Sequence, residues 1–198
     1  MSVEVFLAMV SFAFVMAFTP GPNNVMLTAS AANFGFARSI PHMLGVSLGF
    51  VILLAAAGAG LGTLLTSIPS TQTVLKIVGA AYMLWLAWKV ANAGPADDGS
   101  DTDARPLTFL QAVAFQWVNP KGVVIALGAI ALYVSPGRPV ADLLIMLVVF
   151  GLMTLLSTAA WSLFGVAVSR LLRDPRRARI FNVCMALLLV ASIVPMVL

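Results

Sequence analysis

Charge is what this sequence lacks. Only 9% of its 198 residues are Asp, Glu, Lys or Arg, whereas 61% are hydrophobic. A water-soluble domain carries roughly 25% charged residues, so this chain cannot cover a water-facing surface and is expected to be an integral membrane protein. Acids are the scarcest charges: there are seven, and four of them (Asp97, Asp98, Asp101 and Asp103) sit in one short stretch. This leaves no paired carboxylates for acid–base catalysis and no cluster with metal-ligand spacing. A phosphate-cradling Gly-Lys loop is also missing, which excludes ATP-driven work. No cofactor and no metal are expected. The single cysteine, Cys184, cannot form an internal disulfide.

What the chain has is apolar length. A helix needs about 20 mostly apolar residues to cross roughly 30 Å of hydrocarbon, and six such segments are legible: 3–34, 40–65, 72–91, 107–134, 140–167 and 179–198. The expected fold is all-α with six transmembrane helices. The first segment lacks the positive start of a secretory signal, since Glu4 is the only charge before Arg38, so it is taken as retained. The longest separator, "NAGPADDGSDTDARP" (92–106), is a polar linker at the midpoint. It divides the chain into 1–91 and 107–198.

The net charge of +4 does not point to nucleic acid. Five of the eleven basic residues lie between Arg170 and Arg179, flanking a span, where they set topology and meet anionic lipid. Loops after the first, third and fifth spans carry eight Lys or Arg; loops after the second and fourth carry Lys76 and Arg138. The positive-inside bias therefore puts the 92–106 linker in the cytoplasm and the C-terminus outside. The side of the N-terminus is left open, because its segment is broken.

That break is the most informative feature. "FTPGPNN" (18–24) places Pro20, Gly21 and Pro22 in an apolar run, followed by Asn23 and Asn24. Proline removes a backbone donor and clashes with the preceding turn, and the freed groups cannot face lipid. The second half repeats the device: "FQWVNPKGVV" (115–124) sets Asn119–Pro120 inside the fourth span, with Pro22 and Pro120 98 residues apart. Three spans per half is an odd number, so the second half must enter from the opposite side. This predicts two inverted three-helix repeats with broken first helices, a transporter layout. Half-helix N-termini attract a carboxylate and loose carbonyls accept from an ammonium, which suits a zwitterion. Thr19, Pro20, Gly21, Pro22, Asn23 and Asn24 are the candidate residues of one wall, and Asn119, Pro120 and Lys121 of the other. Lys121 is the only charge deep in a span; it meets a carboxylate, snorkels to the interface or satisfies a carbonyl freed at the Asn119–Pro120 break.

"FTPGPNN" resembles the signature of the LysE-type family of small bacterial amino-acid exporters, the lysine exporter and homoserine/threonine resistance family. "VNPKGVV" (118–124) is similar to its second motif and "GVSLGF" (45–50) to its second span. "GAAYMLWLAWKVA" (79–91) resembles the cysteine and O-acetylserine exporter branch. The resemblance implies a six-helix exporter of amino acids or derivatives in the bacterial inner membrane and does not fix the substrate; the acid-free break points to small neutral or zwitterionic amino acids such as cysteine, O-acetylserine, homoserine or threonine, carried by a secondary mechanism. Basic amino-acid exporters of the family carry an Asp in the second span and another after the Asn-Pro motif. Phe50 and Ile125 stand nearest those positions here, which argues against a cationic substrate and an Asp-based proton relay. The partners implied are the amino acid, membrane lipid and a coupling ion, a proton being the candidate; a homo-oligomer is left open.

Two other function classes compete. "GVSLG" (45–49) also fits the G-x-S-x-G hydrolase elbow around Ser47. It lies in a helical span, however, and His42, five residues back, is about 140° round the helix. Gly45 and Gly49 read better as a small-xxx-small packing pair, as do Gly58 and Gly62, which face the other way. His42 itself reads as a boundary residue, and Trp85, Trp88 and Lys89 as an interfacial anchor. The third class is a non-transporting helper subunit, which would need a fixed partner.

Overall fold

In the computed structural model, residues 1–61, 69–93, 105–172 and 174–194 are described. Their regular structure is helical: α1 (Val3–Phe18), α2 (Pro22–Phe34), α3 (Phe36–Ala56) with a wide π-type turn after it (Ala57–Leu61), α4 (Pro69–Ala91), α5 (Phe109–Phe115), α6 (Pro120–Tyr133), α7 (Pro139–Ser169) and α8 (Pro175–Ala191). Gly62, the 94–104 part of the linker, Arg173 and Leu198 lie outside the described residues.

Both proline motifs break their helices. Thr19, preceding Pro20, is extended (φ −62°, ψ 133°), as a residue before proline must be. Gly21 is extended too, and Pro22 restarts the helix at its first position, where the missing N–H costs nothing. The axis turns by 52°. In the second half, α5 ends at Phe115. Trp117 and Val118 make tighter i→i+3 bonds, Asn119 is extended, and Pro120 restarts the helix with a bend of 61°.

Length and composition give two helices able to cross a membrane alone, Phe36–Gly60 and Pro139–Ser169, or four spans if each bent pair counts as one. The third and sixth expected spans fall short of that measure among the described residues. α4 opens on the polar "PSTQTVLK", so only Ile77–Ala91 is a continuous apolar stretch. α8 opens on Arg176, Arg177 and Arg179. The outer face fits a lipid solvent: Leu110, Val124, Leu132, Val140 and Val148 are all more than three-fifths exposed.

Contacts at the helix ends gather into two groups. At one end Met1 lies 3.8 Å from Asp142, Tyr133 donates to the Ala8 carbonyl, and Gly58 sits against Leu143 and Ile130. At the other end the Asn33 and Asn182 amides pair at 2.8 and 3.2 Å, and Asn182 donates to the Ala93 carbonyl at 2.7 Å. Between these ends α2 packs along α7, α3 lies between α5 and α7, and α4 packs on α8.

Glycines set the closest approaches. Gly45 and Gly49 lie against α5, where an added Cβ would meet the Phe109 carbonyl at 2.4 Å and Val113 Cα at 2.8 Å. Gly165 brings α7 onto α2, and a Cβ there would sit 2.3 Å from the Thr28 carbonyl and 3.1 Å from the Ala32 nitrogen. Backbone cannot swing aside as a side chain can. Gly165→Ala should therefore cost about 1–3 kcal/mol, read as a lower melting temperature in detergent. Gly128→Ala, inside α6 with nothing within 4 Å, should leave the melting temperature unchanged or raise it by the gain in helix propensity.

Candidate functional site

The last carbonyls of α1 lose their helical partners when the chain breaks at Thr19, and side chains from three other elements take them up. The Ala17 carbonyl accepts from Asn24 Nδ2 (3.1 Å) and from Ser157 Oγ of α7 (2.6 Å). The Thr19 carbonyl accepts from Asn24 Nδ2 (2.9 Å) and from the Lys121 ammonium of α6. Lys121 thus satisfies a carbonyl of the opposite break, not of its own. An ammonium already sits where the sequence places a binding site for one.

A second link joins the two breaks. Asn23 Nδ2 donates to Gln116 Oε1 at 2.8 Å, and Gln116 Nε2 returns a bond to Asn23 Oδ1 at 3.2 Å. Gln116 is fully buried and also donates to the Ala112 carbonyl at 2.9 Å. A reciprocal amide pair fixes both side chains against one another and holds α2 to the end of α5.

Between the breaks lies a cavity of about 60 Å³, several times the roughly 10–15 Å³ that one water requires. Two helices begin at its wall in the same way. The first helical bond of α2 runs from Val25 N to the Gly21 carbonyl, and that of α6 from Val123 N to the Asn119 carbonyl. In each, proline fills the first position and no side chain caps the end. The N–H groups of Asn23 and Asn24, and those of Lys121 and Gly122, precede those first bonds. The positive ends of two helices therefore meet at one cavity.

Gly21, Pro22, Asn23, Asn24, Asn119 and Lys121 line the cavity. Thr19, Pro20 and Pro120 do not. Thr19 is exposed and its hydroxyl turns back to the Val15 carbonyl at 2.6 Å, so what it offers is its backbone oxygen. Asn119 is 2% exposed, and its Oδ1 has no hydrogen-bond partner among the described residues. Gly21 leaves room for the lysine: a Cβ there would meet Lys121 Cδ at 2.8 Å. Sequence reasoning missed Gln116, Thr154, Ser157 and Thr158, which complete the polar lining. The signal for α7 was "STAAWS" (157–162), three hydroxyl residues within six positions of an otherwise largely apolar helix. Among the described residues no Asp or Glu lines the cavity, and Phe50 and Ile125 form part of its apolar wall.

The two residues that could have suggested hydrolysis are apart. Ser47 Oγ donates to the Met43 carbonyl at 3.0 Å and lies 3.5 Å from Thr158 Oγ1, whereas His42 Nδ1 lies 3.3 Å from Ser30 Oγ. His42 is fully buried under α2 rather than standing at a boundary.

The family model for LysE type translocators matches residues 14–193. The cysteine/O-acetylserine efflux proteins of Escherichia coli (strain K12) and Shigella sonnei (strain Ss046) are each 35% identical over 188 residues, covering 91% of this chain and 91% of theirs. No solved structure matches the chain. The matched stretch takes in both breaks and all but Ala13 of the residues around the cavity, and on it the chain belongs to the LysE type translocator family.

Proposed function

We propose that this protein is a secondary transporter of the bacterial inner membrane that exports small zwitterionic amino acids of the cysteine and O-acetylserine class. The observation that carries this reading is the cavity where two uncapped half-helix N-termini meet one lysine and one amide oxygen without a partner, with no acid lining it among the described residues. The substrate carboxylate takes the helix N–H groups and the Lys121 ammonium. That draws Lys121 off the Thr19 carbonyl, which with Asn119 Oδ1 then receives the substrate ammonium. One lysine so exchanges an internal partner for the substrate's charge, and the bond between the two breaks opens as the site fills. The relatives' names support the substrate class.

The same reading makes the chain six spans in two inverted repeats around this site. Its support is the matched start of α2 and α6, together with the pairing of α3 with α7 and of α4 with α8, each of which a two-fold axis between halves would map onto itself. The helix ends bearing Asn33, Ala93 and Asn182 join on one side, next to the arginine-rich loops, and that side is cytoplasmic. The 92–106 linker is cytoplasmic and Leu198 external.

A cationic side chain would enter a cavity with no acid to receive it, at a cost of several kcal/mol. Overproduction is therefore expected to raise tolerance to excess cysteine, O-acetylserine, homoserine or threonine and to give no protection against canavanine. Growth assays across these compounds check it; canavanine resistance without tolerance to the neutral compounds would overturn the assignment.

A further inference from the structure

A second cavity, about 50 Å³, lies among α2, α3, α4 and the entry to α5. Its chemistry differs from that of the first. Two cations, Lys89 and Arg105, stand at its wall, and among the described residues no acid lines it. Neither makes an ion pair among the described residues, where the pairs found are Met1–Asp142 and Arg177–Asp174. The Lys89 ammonium rests 4.9 Å over the Trp85 ring, a weak hold that a carboxylate would outcompete. Deeper in are Ser30, Asn33 and His42, and His42 Nε2 is buried without a hydrogen-bond partner. A buried donor or acceptor left unmatched is costly; here its ring lines the same cavity as two cations that have no ion-pair partner among the described residues.

The place of this cavity connects it to transport. Ser30 and Asn33 follow Asn23 by about two and three turns of α2, or ~10 and ~15 Å. Ser30 falls on nearly the same face of the helix as Asn23. The cavity adjoins the helix ends that the proposed orientation puts in the cytoplasm, where an exported amino acid arrives.

We propose that this second cavity is a cytoplasmic loading site that captures the carboxylate of the amino acid on Lys89 and Arg105 before it passes along α2 to the central site. The assignment rests on the exporter reading for its direction, while the anion site stands on its own geometry. Occupancy at the entrance raises the local concentration of substrate ahead of the translocation step, so it governs apparent affinity rather than maximal rate.

Uptake of labelled O-acetylserine by inverted membrane vesicles tests the kinetic half. Lys89→Gln/Arg105→Gln should raise KM about tenfold or more, the loss of a charge-assisted bond, with the maximal rate kept within about twofold, and Lys89→Arg should retain most of the affinity. An unchanged KM would overturn the proposal. Binding is read independently from Trp85 fluorescence, with Trp88, Trp117 and Trp161 replaced by Phe and Asn119→Leu impairing the central site. In phosphatidylcholine vesicles O-acetylserine should shift the emission and its methyl ester, which lacks the carboxylate, should not. A shift produced by phosphatidylglycerol in the bilayer and not by O-acetylserine would make this a lipid-phosphate site and overturn the proposal. If wild-type vesicles move no zwitterion yet the fluorescence shift is present, the exporter reading fails and the anion site stands.

Discussion

Asn119→Leu is expected to reduce amino-acid efflux roughly tenfold to a hundredfold while leaving the amount of folded protein in the membrane unchanged. Asn119 Oδ1 is buried at the cavity and free of any partner among the described residues. Its removal therefore breaks no bond that the fold uses. A hydrogen bond to a charged group contributes about 1.5–3 kcal/mol, which at 1.4 kcal/mol per tenfold sets the range given. Leucine is close to asparagine in size and removes a buried unpaired acceptor, so stability should hold or rise slightly. Initial efflux rates from preloaded cells, normalised to protein in the membrane fraction, check it. Efflux at the wild-type rate would remove Asn119 from the site.

Pro20→Ala/Pro22→Ala is expected to abolish efflux, for a reason in the backbone rather than a side chain. The two prolines stop the helix and hold Thr19 in an extended conformation. Without them only Gly21 opposes a continuous helix, at about 1 kcal/mol. A straightened segment would return the Ala17 and Thr19 carbonyls to the helical ladder, taking them from Asn24, Ser157 and Lys121. It would also erase the N-terminus of α2 at the cavity. The apolar faces remain, so the protein should still insert. Full export by an inserted double variant would show that the broken backbone is not the binding element.

Both breaks were legible in the sequence because proline acts on its own residue and its nearest neighbours. The halves of the site that were not legible depend on pairings across the fold. Gln116 reads as a lone amide in "AFQWV" until Asn23, 93 positions away, is seen to face it. Lys121 had three sequence readings, and the structure shows its ammonium on a carbonyl 102 positions back, a distance that no local pattern encodes. Thr19 misled in the opposite direction: its hydroxyl suggested a ligand, yet in a helix end that hydroxyl bonds the carbonyl four residues back. His42 lies at a span edge by counting, but α3 starts at Phe36 and α2 covers its second turn, so the ring is buried. The third and sixth spans are the least plain by length and composition for a similar reason, since polar residues and charge stand at the starts of α4 and α8.

The central claim, that substrate binds between the two breaks, is tested most directly by protection of a cysteine placed in the cavity. Thr154 lines it from α7 and is half-buried, and threonine to cysteine changes little volume. With Cys184 replaced by serine, Thr154→Cys in purified, transport-competent protein should react with a small thiol reagent. O-acetylserine should slow that reaction severalfold, and arginine should not. Gly128→Cys, on α6 away from the cavity, should react at one rate throughout. Equal labelling of position 154 with and without O-acetylserine, in protein that still transports it, would contradict the account and place the substrate elsewhere.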